Sequence, residues 1–149
     1  DLLGRGVDPA KIDTRIRQTR SLEGMHLWGT ALSRIFRCGV NAQIAMSWLT
    51  RADFEETNAT GPDTESLIGQ LLLIRGVRFA VLLTEGEDRV RASFRSKEGA
   101  VPAAFVARSF GGGGHPRAAG ATLPLPFEHA LQAVRAAVEN AYAGWPASD

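Results

Sequence analysis

The sequence predicts an α/β fold, with α+β as the alternative: a mixed β-sheet of about four to five strands covered by helices. Three observations predict it. Residues 89–96 alternate with a period of two, the run from Val77 to Thr84 is apolar on both faces, and apolar residues recur at three- and four-residue spacing near both ends of the chain. At 149 residues and 44% hydrophobic composition, the chain has the length of one domain and enough apolar surface for a core.

Asp8-Pro9 is a helix start, with Asp as N-cap and Pro at the first helical position. The helix it opens carries only a thin apolar stripe, Ile12 and Ile16, with Lys11, Arg15 and Arg17 at polar positions, and is expected to lean on something outside this sequence. A second helix is predicted from Leu22 to Phe36 on the spacing of Met25, Trp28, Leu32 and Ile35. Val40, Ala42, Ile44, Met46 and Trp48 then alternate with smaller or polar residues, as in a half-buried strand. A polar loop follows from Thr57 to Pro62. Thr60 or Asp63 caps a helix holding Leu67, Ile68, Leu71 and Leu72, and Gly76 is its stop.

Val77 to Thr84 suits a central strand, and Glu85-Gly86-Glu87-Asp88 turns the chain into a second strand, Arg89 to Ser96. Pro102 opens a short helix with Phe105 and Val106 inward. Ala121 to Leu125 is a short strand, and Phe127, Leu131, Val134 and Val138 mark a final amphipathic helix. The domain proper spans 21–143, with a loose tail over 144–149. The start at Asp1, without an initiator Met, suggests a piece of a longer protein.

Seventeen basic and sixteen acidic side chains leave the chain near neutral, which does not favour a general nucleic-acid or membrane binder. Between Arg75 and Arg117, however, eight cations face four anions. Positive charge therefore gathers around one segment, as an anion site requires. Arginine makes up fifteen of the seventeen basic residues, which GC-rich coding alone would produce, but coding bias does not explain the clustering. Cys38 is the sole cysteine, so no internal disulfide forms and a reducing, cytoplasmic location is expected. No apolar stretch reaches the roughly 18 residues of a membrane span.

The segment Gly111-Gly112-Gly113-Gly114-His115-Pro116-Arg117-Ala118-Ala119-Gly120 lies inside that positive region. Glycine lets several backbone N–H groups turn toward one point and lets a ligand approach the main chain closely, so a phosphate is the natural guest. Neither the Walker pattern nor the dinucleotide fingerprint fits its spacing. A flexible glycine loop is the plain alternative. On the Arg89–Ser96 strand, Arg91, Ser93 and Arg95 share one face, and Val90, Ala92 and Phe94 the other. A solvated edge face would read the same way. Trp28, Trp48 and Trp145 can stack on bases, but burial is the simpler reading of the first two.

This decapeptide, with Arg95-Ser96-Lys97 upstream, resembles the C-terminal, DHH-associated domain of DHH phosphoesterases, in the oligoribonuclease, nucleotide-bisphosphate phosphatase and cyclic-dinucleotide phosphodiesterase branch. The family reads as a strand ending in Arg-Ser-Lys, a helix, Gly-Gly-Gly-His, two variable residues and Ala-Ala-Gly. The likeness extends weakly from about Leu22 to about Val138, and it implies that residues 1–20 are an interdomain linker helix. It implies that Arg95, Ser96, the N–H groups of Gly112, Gly113 and Gly114, and His115 bind the phosphate or nucleotide of the substrate. Arg suits this because its planar fork holds two phosphate oxygens. Arg117 sits at a variable family position and is a candidate by charge and proximity alone, while Gly111, Ala118, Ala119 and Gly120 support the loop. Arg91 matches no fixed position and reads first as a surface charge, with substrate contact as the lesser alternative. His115 is a loop-bonded surface residue, a metal ligand without partners at ligand spacing, or, as the resemblance favours, a phosphate contact that would gain proton affinity there.

DHH enzymes bind two metal ions, typically Mn²⁺, through an Asp-His-His motif and further aspartates in their N-terminal domain. No Asp is directly followed by a His in this chain. The resemblance therefore implies no metal ligand and no catalytic residue here, with two Mn²⁺ in an N-terminal DHH domain that is this chain's partner. The expected substrates are short oligonucleotides, dinucleotides (linear or cyclic) and nucleotide bisphosphates, the chain alone is expected to be inactive, and a homodimer of the parent protein is compatible with this. The alternatives are a fragment of a RecJ-like single-strand exonuclease and a non-catalytic tRNA-binding module like the C-terminal domain of alanyl-tRNA synthetase.

Overall fold

The computed structural model describes residues 19–146; the linker helix expected at Asp8-Pro9 lies outside them. Six strands form one mixed sheet, in the order β1-β2-β3-β4-β6-β5. These are β1 (Phe36–Cys38), β2 (Ile44–Leu49), β3 (Phe79–Glu85), β4 (Arg89–Ser96), β5 (Gly113–His115) and β6 (Ala118–Pro124). Only β2 and β3 run parallel; every other neighbouring pair is antiparallel. The α/β class is as expected, with strands β1 and β5 added to the count.

Five helices cover the sheet: α1 (Leu22–Ser33), α2 (Arg51–Thr57), α3 (Leu67–Leu72), α4 (Ala103–Arg108) and α5 (Phe127–Gly144). On one face, α4 and α5 close over Met46, Phe79, Val81, Phe94, Ala121 and their neighbours. On the other, α1 and α3 pack Leu27, Ala31, Leu67 and Leu71 onto Ala45, Leu49, Ala80 and Leu82, with Phe54 of α2 at the margin. All four of those sheet residues belong to β2 and β3. The second layer of helices thus covers half the sheet, and the β4–β6–β5 half of that face stays largely open. No described helix is long and apolar enough to cross a membrane.

Several local expectations are corrected. Helix α1 stops at Ser33, and it buries Gly24, Leu27 and Ala31, whereas Met25 and Leu32 are exposed. The small residues let it lie close to its neighbours, and Trp28 instead anchors the helix by donating from Nε1 to the Asp63 carbonyl at 2.8 Å. Strand β2 begins at Ile44 because Gly39, Asn41 and Ala42 adopt positive φ and wind the preceding residues into a 3₁₀ turn, Val40–Ala42. Placed between two strands with helices on both sides, it is buried on both faces.

Helix α2 follows β2 directly and was not expected. Its signal is Thr50-x-x-Asp53, a reciprocal capping box with Thr50 as N-cap. Thr60 and Asp63 make a second such box on a 3₁₀ turn, Gly61–Thr64, so α3 starts later, after Ser66. Phe105 faces outward, half-exposed, and meets the Trp145 ring edge-on with centroids 5.3 Å apart. That contact and the run of α5 to Gly144 place ordered structure where a loose tail from 144 was expected.

Candidate phosphate-binding face

Strand β4 occupies Arg89 to Ser96 as its alternation predicts, and its register carries the site. Arg95 lies opposite Ala118 on β6, and Ala118 lies opposite His115 on β5. Residues directly opposite one another share a sheet face, so Arg95, Ala118 and His115 form one row on the open side. The next row is Ser93, Gly120 and Gly113, and the next pairs Arg91 with Thr122. The floor between the β4 arginines and His115 is therefore Ala118 and Gly120, two residues with almost no side chain. Neighbouring strands lie about 4.8 Å apart, which separates Arg95 and His115 by roughly 10 Å at the backbone and leaves a shallow trough.

Arg91 joins this site, a placement that its sequence position did not disclose. A Cβ placed on Gly120 would lie 2.6 Å from Arg91 Nη2, so the guanidinium rests over Gly120, toward the middle row. Arg91 has no hydrogen-bond or ion-pair partner among the described residues. Arg95 donates from Nη1 to the Phe94 carbonyl at 2.9 Å and has no carboxylate partner among them either. Burial, and then the charge of Arg91, hold the Arg95 guanidinium's pKa below its ordinary value. Two arginines that repel each other, with an exposed His115 two strands from Arg95 and no acid among the described residues paired to any of them, make a surface that a bound anion would stabilise.

The other candidates fall elsewhere. Ser96 points to the opposite face with Phe94, only 4% exposed. Its hydroxyl donates to the Pro116 carbonyl and accepts from the Ala103 N–H, both at 3.1 Å. It latches the β5–β6 turn to the start of α4 and offers nothing to a ligand. Ser96→Ala leaves the buried Ala103 N–H with only the Pro116 carbonyl and removes a hydroxyl bond. A loss of about 1–2 kcal/mol in chemical denaturation is expected. An unchanged unfolding midpoint would refute the latch. Arg117 is exposed in the turn and pairs with Glu98 at 3.3 Å, which leaves it less available than Arg91.

The glycine run is not a loop of convergent N–H groups. Gly111, at φ +77°, ends α4: its N–H bonds the Arg108 carbonyl and the Gly112 N–H bonds the Ala107 carbonyl at 2.9 Å, a Schellman-type pairing. The Gly112 N–H is therefore spent on the helix end. Gly113 and Gly114 belong to β5, the edge strand, whose outer edge has no partner strand. Gly112 and Gly114 admit close packing on β6, where a Cβ would come within 2.2 Å and 2.6 Å of the Gly120 and Ala118 carbonyl oxygens. Ala118, Ala119 and Gly120 are the partner strand itself, Ala119 inward and the other two in the floor.

Among the described residues, no three His, Cys, Asp or Glu side chains come together to hold a metal ion.

The chain is 34% identical over 141 residues to the bifunctional oligoribonuclease and PAP phosphatase NrnA of Thermus thermophilus, covering 91% of this chain and 41% of that protein. It is also 34% identical over 79 residues to the Bacillus subtilis protein of the same name, covering 53% of this chain and 25% of that one. The chain thus spans well under half the length of these relatives. Among solved structures, an exopolyphosphatase-related protein from Bacteroides fragilis superposes with a TM-score of 0.83 at 27% identity, covering 95% of this chain and 42% of that one. Residues 41–144, from the turn before β2 to the end of α5, match the family model of the DHHA1 domain, and the chain belongs to that family.

Proposed function

We propose that this chain is the substrate-holding domain of a two-metal DHH phosphoesterase that acts on short oligonucleotides, dinucleotides or nucleotide bisphosphates. The observation that carries the reading is the row of Arg95, Ala118 and His115 on an open sheet face, with unpaired Arg91 leaning over Gly120 beside it. A phosphate seated over Ala118 meets the planar fork of Arg95 on one side and the imidazole of His115 on the other. Charge-assisted contacts of this kind contribute about 1.5–3 kcal/mol each. The floor is small and flat, so the ligand's sugar and base lie close to the backbone. Its compactness favours a short ligand over a long duplex, which would need an extended positive stripe.

In this reading the two metal ions, Mn²⁺ in the resembling enzymes, and the attacking hydroxide are supplied by an N-terminal domain that closes over the open face. The role of this chain is to bind and orient the phosphate and to exclude water on closure.

Titration of the chain with a 5′-phosphorylated dinucleotide at low salt tests it. Arg95→Ala and His115→Ala are each expected to weaken binding about tenfold or more, equivalent to about 1.4 kcal/mol. The chain with Mn²⁺ alone is expected to leave the dinucleotide uncleaved. Binding indifferent to both substitutions, or tight binding of tRNA in preference to short oligonucleotides, would overturn the reading.

A further inference from the structure

We propose that the hollow beside Arg91 receives the base of a second nucleoside, so that the domain distinguishes a dinucleotide from a single nucleotide. This rests on the open face being the phosphate site. A cavity of about 400 Å³ lies where the β3–β4 turn faces α2 and the segment that follows it, within the range of about 300–1,000 Å³ usual for small-molecule sites. Its walls include Phe54, Ala59, Gly61, Thr84, Arg89 and Arg91. The half-buried Phe54 ring and Ala59 give an apolar surface, and the Thr84 hydroxyl and the arginines give a polar rim. An apolar wall for a flat face and polar groups for an edge is the chemistry of a nucleobase.

Arg91 ties the hollow to the phosphate face. It lines the cavity while its guanidinium rests against Gly120, so one delocalised plane borders both. Arginine stacks on π-systems as readily as it pairs with phosphate oxygens. The other charges nearby are committed: Arg89 pairs with Asp88 at 3.1 Å, and Glu85 accepts the Arg51 N–H at 2.9 Å. The hollow therefore suits a neutral, flat group attached to the anion held next door.

The far end of the arginine strip has its own cavity of about 620 Å³, bordered by Arg95, Ile68, Gly69 and Gln70. Arg91 and Arg95 are four residues apart on β4, about 13 Å at roughly 3.3 Å per residue. A phosphate seated over Ala118, in the Arg95 row, has this cavity at one end and the hollow beside Arg91 further along β4 at the other, with room for a nucleoside toward each.

The test compares two probes with equal numbers of phosphate groups, adenosine 3′,5′-bisphosphate and the linear dinucleotide pApA, titrated into the 149-residue chain. Wild type is expected to bind pApA at least tenfold more tightly. Gly61→Trp fills the hollow without strain, since a Cβ there meets nothing within 4 Å and φ is not positive. It should cut the advantage of pApA to under threefold and leave the bisphosphate within twofold of wild type. Phe54→Leu, which keeps bulk but removes the ring, should reduce pApA binding alone by three- to tenfold. If wild type binds both probes equally, or both variants retain the full pApA advantage, the second-base site is overturned and the phosphate face stands. If wild type binds neither probe, both readings fall.

Discussion

Gly112→Ala is expected to lower the stability of the chain by about 3–4 kcal/mol, a fall in melting temperature on the order of 10 °C. The added methyl would lie 2.2 Å from the Gly120 carbonyl oxygen and 2.7–2.8 Å from Ala121 Cβ and Cα. None of these atoms belongs to a flexible side chain, so relief requires β5 to part from β6. Gly113→Ala provides the contrast: its methyl meets nothing within 4 Å, and the substitution should leave stability within about 0.5 kcal/mol of wild type. Gly120→Ala is intermediate and of a different kind. Its methyl strikes the end of Arg91 at 2.6 Å and approaches the Ala92 carbonyl at 3.2 Å, so nucleotide affinity should suffer more than stability. Thermal melts of the three variants check the series. Equal melting of Gly112→Ala and Gly113→Ala would show that the glycine run is a loop after all.

Asp53→Ala is the second large effect, expected at about 2–4 kcal/mol. Asp53 is 5% exposed at the start of α2; its Oδ1 accepts from Arg34 Nη2 at 2.8 Å, and its Oδ2 accepts from the Thr50 N–H at 2.6 Å and from Arg34 Nη1. Arg34 in turn donates to the Trp48 carbonyl and lies over the Trp48 ring, so the pair ties α1, β2 and α2 together. Without the carboxylate, a partly buried guanidinium loses its counter-charge, and α2 loses half its capping box. Burial by itself would raise the Asp53 pKa. The hydrogen bonds from Arg34 and Thr50 outweigh it and hold the group below the ordinary carboxylate value. A carboxyl whose folded pKa is depressed contributes fully above its unfolded value, about 4, and loses that contribution as pH falls through the folded one. The gap between wild type and Asp53→Ala in chemical denaturation should therefore be widest near neutral pH and narrow below about pH 4. A gap that does not change with pH would rule out the ion pair as its source.

How much of this was legible in the sequence depended on whether side chains carried the pattern. The bounds of β4 could be read because Val90, Ala92 and Phe94 alternate with Arg91, Ser93 and Arg95, and the two faces meet different surroundings in the fold. Glycine has no side chain to alternate, so Gly113–His115 could not announce itself as a strand; its pairing with Ala118–Gly120 decides it. The exposed face of α1 was misread for a related reason. Its buried positions include Gly24 and Ala31, chosen for closeness, while the more apolar Met25 and Leu32 point outward. Arg91 is legible as a charge on the Arg95 face and a lesser candidate for contact, but only the register of β4 on β6 sets it above Gly120. The capping box at Thr50 and Asp53 was the one local signal present and overlooked.

The open face is built entirely from a continuous stretch, Arg91 to Thr122, while the hollow beside it is walled in part by α2 and the residues after it. On the proposed reading, grip and selectivity would then fall largely to separate lengths of chain, with Arg91 shared between them. Substitutions around Phe54, Ala59 and Gly61 would reshape what lies next to the anion without disturbing the strands proposed to hold it. Such an arrangement would let descendants of one domain change substrates by altering a wall while keeping an inherited hold on phosphate.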